Sequence, residues 1–148
     1  MITIDGGMLE GGGQIVRTAV ALAAVAGETG TIWNIRKNRS VPGLAAQHVA
    51  TVKAAATISN APTEVVFIGS GEITFLPGRP ERKDITFNIG TTGSIPLVLS
   101  AWLLPALYGG SCGTTDLTSH AMTSISLLGH FGHSISVSRQ EGCVEVSA

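Results

Sequence analysis

The distribution of apolar and polar positions along the chain divides it into short strands and longer helices. Met1 to Asp5 reads as a strand that runs into a glycine-rich loop. From about Gly12 to Ala26 the apolar residues are dense, alanine-rich and free of proline, which predicts a helix. Gly27 and Gly30 end it and make the turn. Thr31 to Ile35, with β-branched and aromatic side chains, predicts a strand. Pro42 sits near the start of a second predicted helix that runs to about Ser59, where Asn60-Ala61-Pro62 stops it. Glu64 to Ile68 and Glu72 to Leu76 then read as a hairpin across Gly69-Ser70-Gly71.

After a polar connector the same order is predicted again. Asp84 to Ile89 reads as a strand, and Gly93 to about Leu107 as a helix weakened where Pro105 removes a backbone donor. Ser111 to Thr115 reads as a short strand and Ser119 to Phe131 as a helix. Ser134 to Ser138 and Cys143 to Ser147 form a closing hairpin. The expected fold class is α/β, an α+β sandwich of two β-α-β-α-β-β repeats whose sheets are packed with helices. The expected organisation is a single domain over residues 1–148, with a repeat-like unit at 1–76, a connector at 77–83 and a second unit at 84–148. The simpler alternative is one irregular α/β sandwich without internal symmetry.

Composition sharpens this picture. The 148 residues are 44% hydrophobic and only 13% charged, which suits a tightly packed core. A formal net charge of -1 exerts no global pull on nucleic acid, so any polyanion site must be local. Between Gly11 and Asn60 the cations are Arg17, Arg36, Lys37, Arg39 and Lys53, and the only acid is Glu28. These cations predict a basic patch, with a solvated positive face as the alternative. Cys112 and Cys143 match no metal-ligand spacing, and no signal peptide precedes the first strand, so a cytoplasmic setting is expected. The most apolar run, Ile95 to Tyr108, is too short to cross a bilayer and contains Pro96 and Pro105, so no membrane association is expected.

Three segments carry candidate chemistry. In Glu10-Gly11-Gly12-Gly13-Gln14-Ile15-Val16-Arg17, three glycines lead from a strand into a helix. Glycines let backbone N–H groups approach an anion, and the helix start adds unpaired donors at a positive dipole end. Arg17, about one turn in, can supply a charge-assisted contact to phosphate, and Glu10 can hold a metal or a ribose hydroxyl. The competing reading is a plain β-α turn with surface charges. The second segment, Ile35 to His48, places Arg36, Lys37 and Arg39 on a loop before a helix that carries Gln47 and His48. His48 reads equally well as an ordinary partly buried histidine. The third, Asn88 to Pro96, offers Thr92 and Ser94 at another helix start, where a simple N-cap is the competing reading.

Taken in order and spacing, these motifs resemble the RNA 3'-terminal phosphate cyclase family. The resemblance rests on Glu10-Gly-Gly-Gly-Gln-Ile-x-Arg17, on Ile35-Arg-x-x-Arg-x-x-Pro-Gly-Leu-x-x-Gln-His48, and on Ile89-Gly-Thr-x-Gly-Ser-x-x-Leu-Val-Leu99. It covers roughly residues 1–108. The tail from Ser119 through Ser124 to the closing hairpin is similar to the family's carboxyl-terminal end, so the chain is similar to the family's first portion joined to its last. The resemblance implies the fold shared with EPSP synthase. It also implies ATP and magnesium as cofactors and an RNA 3'-end or nucleotide as partner. Glu10, Gly11, Gly12, Gly13, Gln14, Arg17, Arg36, Arg39, Gln47, Thr92 and Ser94 are then the expected binding residues, with Glu10 a candidate metal ligand.

The family's adenylylated histidine sits in a Gly-Glu-His-Leu-Ala-Asp-like segment, which none of His48, His120, His130 or His133 matches. Lys37, Asn38 and Ser100 also depart from the small and amide residues the resemblance leads one to expect. Three readings follow: a phosphate- or RNA-end-binding relative without adenylyl transfer, an active cyclase whose site is completed between subunits, and a structural domain with a vestigial pocket. An apolar flank left by a two-unit arrangement favours burial against another copy, so a homo-oligomer is expected. Light scattering at micromolar concentration tests this, and a monomer there would contradict it.

Overall fold

The computed structural model describes residues 1–63, 65–81, 85–88, 95–108, 115–118, 136–140 and 143–147. In the first part, strand β1 (Ile2–Asp5) pairs in parallel with β2 (Gly30–Trp33), and β2 pairs antiparallel with β3 (Ile73–Phe75). A parallel neighbour requires a crossover. Helix α1 (Gly13–Ala26) supplies it and ends as its glycine predicts, with Gly27 left-handed and its N–H bonded to the Ala23 carbonyl.

The period of two along the strands decides which face meets the helix. Ile32 is buried, and Ile4, Ile32 and Phe75 turn toward α1, where Val16, Val20 and Ala24 are also buried. Thr3, Thr31 and Thr74 occupy the opposite face, because paired residues in register project together.

Helix α2 (Ala46–Ile58) buries residues on most of its circumference, including Thr51, Val52, Ala54, Ala55 and Ile58. Such a helix must be covered on several sides. It packs on α1, and helix α3 (Ile95–Tyr108) packs on both. Small alanines along α1 and α2 allow this close approach, and Ala101 of α3 joins the same core. The second sheet has the order β4-β5-β7-β6, with β4 (Ile85–Asn88), β5 (Thr115–Thr118), β6 (Ser136–Gln140) and β7 (Cys143–Ser147). β4 and β5 are parallel, while β5 with β7 and β7 with β6 are antiparallel. Strand β4 touches α2.

Two expectations shift. Residues 65–68 do not form the first strand of a hairpin. Val66 is buried, and the following turn bonds elsewhere: Gly69 N–H donates to Leu44 O, Leu44 N–H to Ser70 O, and Ile35 N–H to Gly71 O. Those bonds commit the segment to the loop after β2, so the first sheet has three strands among the described residues rather than four. The strand expected to end at Thr115 runs on from there through Thr118, in register with β4, while residues 111–114 fall outside the described residues. The helix expected at Ser119–Phe131 falls outside the described residues. Among the described residues, no helix is long and apolar enough to cross a membrane.

Gly43 and Gly69 test how the 34–44 loop is held. Both have left-handed backbones, with φ of 80° and 90°, but a Cβ at Gly43 would run into the Gly69 backbone whereas one at Gly69 meets nothing. Gly43→Ala should therefore destabilise clearly more than Gly69→Ala, whose cost is the backbone strain of roughly 1 kcal/mol. Urea midpoints of the two variants measure the difference.

Candidate functional site

Because β1 and β2 are parallel, the loops that follow them, 6–12 and 34–45, leave from the same end of the sheet. That carboxyl end is where open α/β sheets expose loops and helix amino termini to ligands. The first loop needs two left-handed residues to turn, Leu9 (φ 54°) and Gly11 (φ 58°). It is pinned by Gly6 N–H to Trp33 O at 2.7 Å and by Gly11 N–H to Met8 O at 2.9 Å. Helix α1 then starts at an N-cap, Gly12, that has no side-chain cap, and its first turn holds no acidic residue. Its amino end thus presents backbone donors and a positive dipole end to whatever lies in front of it.

An open depression of about 930 Å³ lies against this end, lined by Glu10, Gly12, Gly13, Gln14, Arg17 and Arg39 together with apolar residues of β1 and α1. Arg17 and Arg39, which come from different elements, face one space. Arg39 also reaches Glu10, with Nη2 to Oε2 at 3.3 Å; the glutamate is 88% exposed, so the pair is weak. Partial burial pulls the Arg17 guanidinium below its ordinary pKa, and it remains charged. Asn38 braces the two loops together by donating to Gly7 O at 3.2 Å.

Arg36 and Gln47 are placed differently from the expectation. Arg36 has a left-handed backbone (φ 54°), and its Nη1 donates to Gly43 O at 2.9 Å, closing the loop on itself. It does not line the depression. Gln47 is half-buried on α2 and likewise lies off it. Gly11 is buried beneath the loop as its turn residue. Thr92 and Ser94 fall outside the described residues.

His48, which the sequence left open, is what joins the parts. Its ring is buried, and Nδ1 accepts from Ala45 N–H at 3.1 Å, capping α2 from its third position. The other edge of the ring lies against Gly13, in the space a Cβ there would occupy. The acceptor role of Nδ1 assigns the ring proton to Nε2, on the α1 side. Burial, then the Arg36 charge, then the Arg17 charge push its pKa down to about 4. Both cations thus act on one ring, although of the two only Arg17 lines the depression. The signal available in sequence was the adjacency of Gln47-His48 to the basic loop, without any hint that a glycine of the first loop would seat the ring.

A histidine depressed in the folded state binds fewer protons than in the unfolded chain, where its pKa is about 6.5. Its stability contribution is complete above about pH 6.5 and is lost as pH falls toward 4. His48→Asn keeps an acceptor near the Nδ1 position and removes the titration. The variant should show a flatter urea-unfolding free energy between pH 7 and 4.5 than the parent protein. Equal slopes would refute the assignment.

Comparison with known proteins identifies the family. A family profile described as RNA 3'-terminal phosphate cyclase matches residues 8–126. An RNA 3'-terminal phosphate cyclase of Caldivirga maquilingensis is 53% identical over 120 residues, which is 80% of this chain and 34% of that protein. Proteins of the same description from Archaeoglobus fulgidus and Pyrococcus abyssi are 50% and 52% identical over 80% and 72% of the chain. The chain spans about a third of the length of these curated relatives. With its glycine-capped helix start and loop cations inside the matched region, this chain belongs to the RNA 3'-terminal phosphate cyclase family.

Proposed function

We propose that the depression at the amino end of α1 binds the terminal phosphate of an RNA 3'-end, or the phosphates of a nucleotide. The observation that carries this reading is the convergence of an uncapped helix start at Gly12–Gly13 with Arg17 and Arg39 on one open space. A phosphate there receives backbone N–H groups at the dipole end and two guanidinium groups that suit two-point contacts. The ligand displaces Glu10 from Arg39 at little cost, because that ion pair is exposed. Neutral His48 adds no competing acid and keeps its ring proton on the α1 side.

The resemblance to ATP-dependent cyclases brings a nucleotide and magnesium into question. The donor set suits phosphate oxygens. Among the described residues no group of three histidine, cysteine or acidic side chains gathers to hold a metal, and Glu10 is the only carboxylate lining the depression. Magnesium would therefore take most of its ligands from phosphate and water, with Glu10 contributing one, as suits an ion that keeps much of its hydration. When bound, it would neutralise phosphate charge. The 148 residues contain no Gly-Glu-His-Leu-Ala-Asp-like segment, so in this reading they bind phosphate without themselves becoming adenylylated.

A short RNA ending in a 3'-phosphate should bind at low salt at least tenfold more tightly than the same RNA ending in a hydroxyl, the order expected for charge-assisted contacts. Arg17→Ala with Arg39→Ala should erase the preference while leaving the circular dichroism spectrum unchanged. Absence of any preference in the parent protein would leave the structural reading. An acid-labile adenylate formed from labelled ATP and magnesium would instead establish adenylyl transfer.

A further inference from the structure

The outward face of the first sheet holds a feature that the phosphate reading does not use. Trp33 ends β2 at the carboxyl edge of the sheet and is 43% exposed, while its neighbour Ile32 is 1% exposed on the helix side. Its partner in register is Asp5, and behind it Thr3, Thr31 and Thr74 form a row across all three strands. The Thr31 and Thr74 hydroxyls lie 3.2 Å apart. At its described strand positions this face carries one indole beside a row of hydroxyls, with the exposed Leu76 just past the end of β3.

Acids and cations both adjoin this face. Asp5 is already engaged by Gly7 N–H at 2.9 Å and by Asn34 Nδ2 at 3.2 Å, and the antiparallel register puts the exposed Glu72 on the β3 side of the indole. The loop leaving Trp33 carries exposed Lys37 and Arg39, and Arg39 lines the depression. Trp33 and the depression thus share the carboxyl end of the sheet, the indole on the outward face and Ile4 of the depression on the helix face.

We propose that Trp33 is a stacking platform for a base of single-stranded RNA upstream of the terminal phosphate, with the threonine row offering hydroxyls to its sugar and base edges. An aromatic side chain on a sheet face stacks any base, so the platform adds affinity with little sequence preference. The inference rests on the phosphate-binding reading of the depression and extends it from the end of the RNA to the body of the strand.

The test exploits the fact that the chain has two tryptophans and that the other, Trp102, is buried. Emission is followed while the protein is titrated with an RNA of about ten nucleotides bearing a 3'-phosphate, or with a nucleoside 3'-monophosphate. The oligomer should quench emission and bind more tightly than the mononucleotide. Trp33→Ala should weaken the oligomer about tenfold, Trp33→Phe less, and both should leave mononucleotide affinity within about twofold. A Trp102→Phe protein should still show the quenching. Unchanged oligomer affinity in Trp33→Ala, or equal affinity of oligomer and mononucleotide, would overturn the platform while the phosphate site stands. Binding of neither ligand would overturn the phosphate site and the platform with it. A change in sedimentation on Trp33→Ala with unchanged RNA affinity would assign the face to a protein contact and overturn the proposal.

Discussion

The seating of the His48 ring against Gly13 is the contact on which the rest depends. It exists because residue 13 has no Cβ, and it brings the first turns of α1 and α2 side by side. A buried imidazole must satisfy its nitrogens, and Nδ1 does so by capping α2 at Ala45 N–H. One side chain thus caps the amino end of one helix and packs on the start of another, which brings together the loops after β1 and β2. Burial and two nearby guanidinium groups keep it neutral, so the surface is positive without a charged histidine at its centre.

That positive surface is not offset from within. Arg36 is fixed by the Gly43 carbonyl, Asp5 is occupied by Gly7 and Asn34, and Glu10 is exposed and weakly held by Arg39. Asp5 is thus committed to backbone order and Glu10 is easily displaced, while Glu72 lies exposed beside Gly71, whose carbonyl accepts from Ile35. Among the depression's lining residues, this leaves Arg17 and Arg39 with unmet capacity for an oxyanion. The left-handed backbones at Leu9, Asn34 and Arg36 cluster in the same two loops, and strain at non-glycine residues is tolerated where surrounding bonds over-determine the chain.

Much of this was legible in the sequence, and the exceptions are instructive. The alanine-rich stretch, Gly27 and the β-branched run fixed α1 and β2 to within about two residues, because local propensity and punctuation agree there. Gly12, Gly13, Arg17 and Arg39, grouped from spacing and family motifs, do line one depression. The hairpin at 64–76 was not, since its strand-like composition lost to long-range bonds from Ile35 and Leu44 that no local pattern records. Arg36 was misplaced for the same reason: its partner is a carbonyl seven residues on, set by the left-handed turn at Gly43. His48 could not be assigned at all until the empty Cβ position of Gly13 was known.

The two faces of the first sheet divide the work by the same alternation that builds the core. Isoleucines and Phe75 turn inward and hold α1, which fixes where its amino end points. Threonines and Trp33 turn outward, where the Thr31–Thr74 hydroxyl pair is the cross-strand contact they add to the fold. The indole of Trp33, 43% exposed at the edge nearest the basic loop, stands outside the core cluster that holds α1.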